Sequence, residues 1–112
     1  MQINKNDFKV SFSEELVWQV WSKAFVVSIS DALTWRKDEC GAWIERREHG
    51  NRDSQYGWEI DHIKSVPKGG TDDISNLRPL HWKNNVRRHD GSLKCPITAA
   101  GTENVTRINL ES

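Results

Sequence analysis

One stretch of the sequence constrains the fold of this chain more than any other, WEIDHIKSVPKGGTDDISNLRPLHWKNNVRR at residues 58–88. It sets polar side chains between apolar ones, and burying a polar group costs free energy unless that group is hydrogen-bonded or ion-bound. Asp61 stands directly beside His62 after an apolar run, and Asn76 and Asn85 follow as isolated amides. Surface decoration explains some of these residues, whereas a single functional site explains all of them together.

The apolar pattern predicts a helix before this stretch and a second helix at its end. SFSEELVWQVWSKA repeats apolar residues at helical spacing after Ser13, which can cap a core-packing helix. A second helix is predicted from Trp82 to His89 and ends at Gly91. There Asn85 shares a polar face with His81 and His89, whereas Trp82 and Val86 form a separate apolar stripe.

Strands are predicted between the helices. AWIERRE and YGWEIDHI flank a polar loop rich in turn-forming residues and are interpreted as a β-hairpin. FVVSIS is β-prone, residues 31–41 are expected to form a turn or a short helix, and the tail from residue 95 shows no regular pattern. The expectation is one α+β domain over residues 1–112, with an N-terminal extension at 1–40 and a core at 56–90.

Composition narrows the classes of protein that fit. A chain of 112 residues suits one domain. A net charge of zero argues against a protein that coats nucleic acid. Residues 61–94 still hold seven Lys or Arg against four Asp, which allows a few phosphate contacts. No apolar run could cross a membrane and the N-terminus has no signal-peptide core, so the predicted location is the cytoplasm.

The two cysteines are consistent with a reducing compartment. Cys40 and Cys95 form no CxxC pair, so no structural zinc of the thiolate type is expected. The sequence leaves a disulfide between the two open. Cys40 is interpreted as a packed thiol rather than a nucleophile.

The polar residues become a site only under one geometric condition. Neighbouring residues of a strand point to opposite faces, so Asp61 and His62 can share a site only where the strand ends or bends. If the second helix crosses the end of the hairpin, Asn85 joins them. A carboxylate and an amide oxygen suit Mg²⁺ or Mn²⁺, and a neutral imidazole can take a proton from water. These are the parts that metal-assisted phosphodiester hydrolysis requires.

The stretches WEIDHIKSVPKGGTDDISNLRPLHWKNN and, more weakly, RKDECGAWIERREHGNRDSQYGW resemble the HNH endonucleases, which have the ββα-metal fold. The resemblance covers about residues 36–94 and is that of a His-Asn-Asn variant. It implies that His62 is the general base, that Asp61 and Asn85 bind the metal, and that Asn76 steadies the loop and the base. It also implies a DNA substrate, double-stranded and bound through its backbone, with 5′-phosphate and 3′-hydroxyl products.

The chain departs from many relatives in lacking cysteine pairs for zinc beside the motif. The corresponding places hold His81 and Asn84, so stability is expected to come from packing, with the tryptophans as candidates. Asn84 is expected to face solvent. His81 is interpreted as an exposed helix histidine, with a metal or phosphate contact as the competing interpretation. Candidate substrate contacts are Lys83, Arg87, Arg88 and His81, against the alternative of a solvated charged face.

Two other functions stay open at this point. A non-catalytic nucleic-acid-binding module fits the zero net charge and the absent zinc ligands. A nuclease component that depends on a protein partner fits the limited basic surface. A homodimer is likewise left open.

Overall fold

The first helix begins where the sequence predicts it. In the computed structural model, which describes residues 12–86 and 92–107, α1 runs over Glu14–Trp21. Ser13 caps it, because the Ser13 Oγ accepts a hydrogen bond of 3.1 Å from the backbone N–H of Leu16. Val17, Val20 and Trp21 are its buried residues. The predicted core-packing helix is therefore confirmed.

The described strands pair as three antiparallel two-stranded sheets. The first pairs β1 (Trp35–Lys37) with β2 (Trp43–Glu45), the second β3 (Trp58–His62) with β4 (Leu77–His81), and the third β5 (Ile97–Ala100) with β6 (Glu103–Thr106). Helix α2, Trp82–Val86, follows β4 without a break. These elements confirm the α+β class.

The hydrophobic core lies between α1 and the β3–β4 sheet. The rings of Trp21 and Trp58 pack with centroids 5.5 Å apart, and both side chains are fully buried. Ile60 and Leu77 from the second sheet and Ile44 from β2 complete the cluster around the helix. Burial of these apolar side chains holds one face of β3 against α1 and leaves its other face for polar groups.

The predicted hairpin between AWIERRE and YGWEIDHI is wrong. Strand β2 pairs with β1, and β3 pairs with β4 across a long loop. The two segments do contact each other, through a hydrogen bond from Glu45 N–H to the Tyr56 carbonyl and a bridge between His49 and Trp58. Strand β4 was not predicted because it contains Pro79, which has no N–H to donate to a neighbouring strand. Proline is tolerated at this position because, in the part of the chain that the structure describes, the sheet has only two strands, so β4 has one edge without a partner strand.

The remaining segments also differ from expectation. Within FVVSIS, Phe25 forms an isolated bridge with Lys37, and Ile29–Asp31 is a 3₁₀ turn. The tail carries β5 and β6 rather than irregular chain. The predicted end of the second helix, from Arg87 to Gly91, lies outside the described residues. Among the described helices, none has the length and apolar content needed to cross a membrane.

Candidate active site

The alternation of β3 divides the predicted site residues between two faces. Its Trp58 and Ile60 belong to the core cluster, and His62 follows them on the same face. Glu59 and Asp61 point to the opposite face. The strand runs through His62, which pairs with Leu77, so the side chains of Asp61 and His62 leave the backbone in opposite directions.

Asp61 is held in a buried ion pair. Its side chain is 4% exposed, and Arg78, its cross-strand partner, donates from Nε to Asp61 Oδ2 at 2.8 Å. Arg78 Nη1 also donates to Glu39 Oε2 at 3.1 Å. A buried carboxylate without a cation would be costly, and the Arg78 guanidinium compensates the burial of Asp61.

Asn85 reaches the same face of β3 from helix α2. Its Nδ2 donates to Glu59 Oε1 at 2.9 Å. Arg52 donates to both Glu59 oxygens, from Nε at 2.5 Å and from Nη2 at 2.9 Å, and this bond raises the pKa of Arg52. Asp61, Glu59 and Asn85 therefore place three oxygen-bearing side chains on one side of the β3–β4 hairpin.

His62 makes its described polar contact on the other side. Its Nε2 lies 2.7 Å from Asp72 Oδ1, and its ring lies 6.3 Å from that of Phe12 between centroids. The imidazole is partly accessible, and Asp72 is largely exposed. A carboxylate at one ring nitrogen fixes the orientation of an imidazole and the position of its proton.

Asn76 closes the loop that carries Asp72. Its Oδ1 accepts from Lys64 N–H at 2.8 Å, and its Nδ2 donates to the carbonyls of Lys64 and Thr71 at 3.0 and 2.8 Å. Gly70 is required in this loop, because a Cβ there would lie 1.7 Å from the Lys64 carbonyl oxygen. One amide thus ties the chain just after His62 to the chain just before Asp72.

A comparison with protein-family models now identifies this segment. Residues 39–91 match the model described as HNH endonuclease. Residues 39–91 are thus identified as an HNH endonuclease domain. The matched segment contains Asp61, His62, Asn76 and Asn85, the four residues predicted to form the site. The same comparisons found no curated protein and no solved structure that matches the chain. The HNH domain indicates a nuclease-type function, and HNH nucleases generally use a divalent metal and act on DNA.

These contacts bring some of the predicted site residues together and keep others apart. Asn85 and Asp61 share one face through Glu59, whereas His62 bonds to Asp72 from the other face. The roles of these residues, and their convergence on a single cation, stay predictions. Among the described residues, no group of three His, Cys, Asp or Glu side chains is placed to hold a metal. A set made of two carboxylates and one amide oxygen nevertheless has the chemistry that a hard divalent ion needs.

The expectations for His81 and Asn84 are wrong. His81 ends strand β4, so it does not share a helix face with Asn85, and it is only 1% exposed. Asn84 is fully buried rather than solvent-facing. Its side chain donates to Asp38 Oδ2 and to the Ile97 carbonyl and accepts from Ile97 N–H.

Asp38 joins His81 and Asn84 through hydrogen bonds. Its Oδ2 accepts from His81 N–H and from the Asn84 amide, each at 2.9 Å, and its Oδ1 accepts from Cys40 N–H and Ala42 N–H at the same distance. Burial raises the pKa of Asp38, and the four hydrogen bonds oppose that rise. Hydrogen bonds, and not tryptophan packing alone, hold the chain together here.

Cys40 is not a packed thiol. It forms a disulfide with Cys95, across 55 positions of sequence, and so links the segment beside Asp38 to the start of the β5–β6 hairpin. This crosslink was one of the alternatives that the sequence left open.

Two polar residues of the site were missed from the sequence. Asp72 lies ten positions after His62 in a loop rich in turn formers, where an aspartate usually binds its own backbone. Arg78 was counted only as local positive charge, and its pairing with Asp61 follows from a strand register that was not predicted. The structure also pairs Glu59 with Arg52 and Asn85.

Proposed function

We propose that this HNH domain is a metal-dependent endonuclease that hydrolyses phosphodiester bonds of double-stranded DNA. The observation that carries the proposal is the His62–Asp72 pair in a loop tied by Asn76, inside the matched segment. An oriented imidazole beside an accessible surface is the group that can activate a water molecule for attack on phosphorus. The products would carry 5′-phosphate and 3′-hydroxyl ends.

Asp72 determines which nitrogen of His62 can act as the base. A carboxylate accepts from a ring N–H, so the 2.7 Å contact places the proton of the neutral imidazole on Nε2. Nδ1 then carries the lone pair that takes the proton from water. Asp72 also stabilises the imidazolium that forms, which makes it a positioning residue in this proposal.

Asp61 and Asn85 would hold the divalent ion, Mg²⁺ or Mn²⁺, with Glu59 beside Asn85 as a further oxygen donor. When bound, the ion neutralises charge on the scissile phosphate and on the leaving 3′ oxygen. Arg78 pairs with Asp61 and fixes the position of its carboxylate. Asn85 contributes a neutral oxygen, so weak metal binding in the absence of DNA is expected.

The proposed DNA contacts are fewer than the sequence indicated. Lys83 is exposed, and its Nζ lies 5.2 Å from the Trp82 ring centroid, so it can reach a phosphate. Arg87 and Arg88 remain candidates and lie outside the described residues. His81 cannot contact the substrate, because its imidazole is buried. Backbone contacts of this kind give an affinity that falls as salt rises.

Replacing His62 tests the assignment of the base. We expect His62→Ala to lower cleavage of supercoiled plasmid with Mg²⁺ or Mn²⁺ by roughly 100-fold or more, the usual contribution of a general base. Asp72→Asn should lower the rate less, because the base remains while its orientation is lost. The comparison should be made on protein whose circular dichroism matches the original chain. Undiminished cutting by His62→Ala would exclude His62 as the base.

Replacing Asn85 tests the metal ligand separately. Asn85→Ala should raise the Mg²⁺ or Mn²⁺ concentration needed for half-maximal cleavage, because one oxygen donor is removed. Lys83→Ala, on the same helix, is the matched control and should instead weaken DNA binding with little change in metal dependence. An unchanged metal dependence in Asn85→Ala would contradict this ligand assignment.

A further inference from the structure

A second concave site lies among residues that the nuclease proposal does not use. It is a pocket of about 380 Å³. Its walls include three aromatic side chains and one carboxylate, from Trp35, Trp43, Tyr56 and Asp31. Strands β1 and β2 place the two tryptophans on one face of their sheet, since Trp35 pairs with Glu45 and Lys37 pairs with Trp43.

The three rings form a corner rather than a slot. Trp35 lies at 85° to Trp43 with centroids 6.3 Å apart, and at 86° to Tyr56 with centroids 4.8 Å apart. A flat ligand such as a nucleobase is bound best between parallel rings. Edge-to-face rings hold one another in place and give the pocket walls in different planes, which suits a rounded group.

The turn between β5 and β6 fixes two of these rings, Trp43 and Tyr56, by accepting hydrogen bonds from their side chains. Trp43 Nε1–H donates to the Gly101 carbonyl at 2.7 Å, and the Tyr56 hydroxyl donates to the Thr102 carbonyl at 2.9 Å. Neither donor is therefore left for a ligand. What these two side chains offer the pocket is aromatic surface held in place before any ligand arrives.

Carboxylates lie around the pocket, and the Lys37 ammonium lies against the Trp43 ring. Within the described part of the chain, the Asp31 carboxylate takes part in no hydrogen bond or ion pair. Two further carboxylates lie near Tyr56. The pKa of Tyr56 is raised first by burial and then by the charges of Glu103 and Glu45. Negative charge around aromatic faces disfavours an anionic ligand and favours a cation.

We propose that this pocket binds an organic ammonium group, of the quaternary or methylated kind. The pocket supplies perpendicular aromatic walls for the methyl groups and Asp31 for the charge. The fold already contains one such contact, since Lys37 Nζ lies 4.7 Å from the Trp43 ring centroid. This binding site is independent of the nuclease activity and does not rest on it.

Calorimetric titration of the full chain with choline tests the proposal directly. Its neutral isostere, 3,3-dimethyl-1-butanol, has the same shape without the charge and is the matched ligand control. We expect saturable binding of choline and at least about tenfold weaker binding of the isostere, the effect of losing a desolvated cation–π contact. Equal binding of the two ligands, or no saturation by choline, would overturn the proposal.

Protein variants locate the binding in the pocket. Asp31→Asn removes the charge of an exposed side chain without removing a described bond and should weaken choline binding several-fold. Trp43→Leu should weaken it more. Trp18→Leu is the control, because Trp18 is 40% exposed, lies under Arg46 and is outside the pocket. Loss of binding in Trp18→Leu with none in Asp31→Asn and Trp43→Leu would place the cation elsewhere.

A further titration separates two sources of the same chemistry. A short peptide that contains trimethyllysine carries the same group as choline on a protein chain. Tighter binding of the peptide than of choline supports a protein ligand, and the exposed side chain of Val27, which lines the pocket, would contact its flanks. Tighter binding of choline supports a small molecule. Binding of neither ligand contradicts the proposal.

Discussion

At the scale of single residues, the Asp38 carboxylate is both buried and fully hydrogen-bonded. It is 1% exposed and accepts four hydrogen bonds from donors in two distant segments of sequence, residues 40–42 and 81–84. We expect Asp38→Asn to lower the free energy of unfolding by roughly 2 to 4 kcal/mol, because an amide nitrogen would face donors and leave two of them unpaired. Urea denaturation followed by tryptophan fluorescence measures the change.

The control for this substitution is Asp53→Asn, which makes the same chemical change at an exposed position. It should alter the free energy of unfolding by less than about 0.5 kcal/mol. If both variants unfold at the same urea concentration as the original chain, the hydrogen bonds from His81 and Asn84 to Asp38 do not stabilise the fold.

At the scale of elements, the Cys40–Cys95 disulfide joins the loop between β1 and β2 to the β5–β6 hairpin. Replacing both cysteines by serine should lower the free energy of unfolding by up to about 4 kcal/mol, the chain-entropy value for a loop of this length. The measurement is urea denaturation, and the control is the same double variant with and without a reducing agent. A reducing agent should destabilise the original chain and leave the double variant unchanged.

The elements also show what the sequence could and could not predict. α1 was predicted because eight residues display two turns of apolar spacing behind a capping serine. Strands β1 and β2 have three residues each, too few for an alternating pattern to be recognised. The motif predicted that Asp61, His62 and Asn85 converge, but strand pairing decides their partners, and pairing depends on contacts between distant residues. The burial of His81 and Asn84 could not be predicted either, because it depends on contacts with distant residues such as Asp38.

At the scale of the whole molecule, the buried His81 and the half-buried His49 make stability depend on pH. His81 Nε2–H donates to the Gln55 carbonyl at 2.7 Å, and its Nδ1 accepts from Lys83 N–H at 3.1 Å, which only a neutral imidazole can do. Burial lowers the pKa of His81, and burial with the charge of Arg46 lowers the pKa of His49. Both rings therefore bind a proton more readily in the unfolded chain than in the folded one.

The sign of the effect follows from that difference. Stability from these histidines is complete above the unfolded pKa of about 6.5 and is lost as pH falls below it towards the lowered pKa of the folded state. Within that pH range we expect protonation of His81 alone to lower the free energy of unfolding by about 1.4 kcal/mol for each pH unit. Urea denaturation at pH 5.0 to 7.5 and constant ionic strength measures the slope, which His81→Gln with His49→Gln should flatten. A slope that the double replacement leaves unchanged would mean that other groups bind the protons.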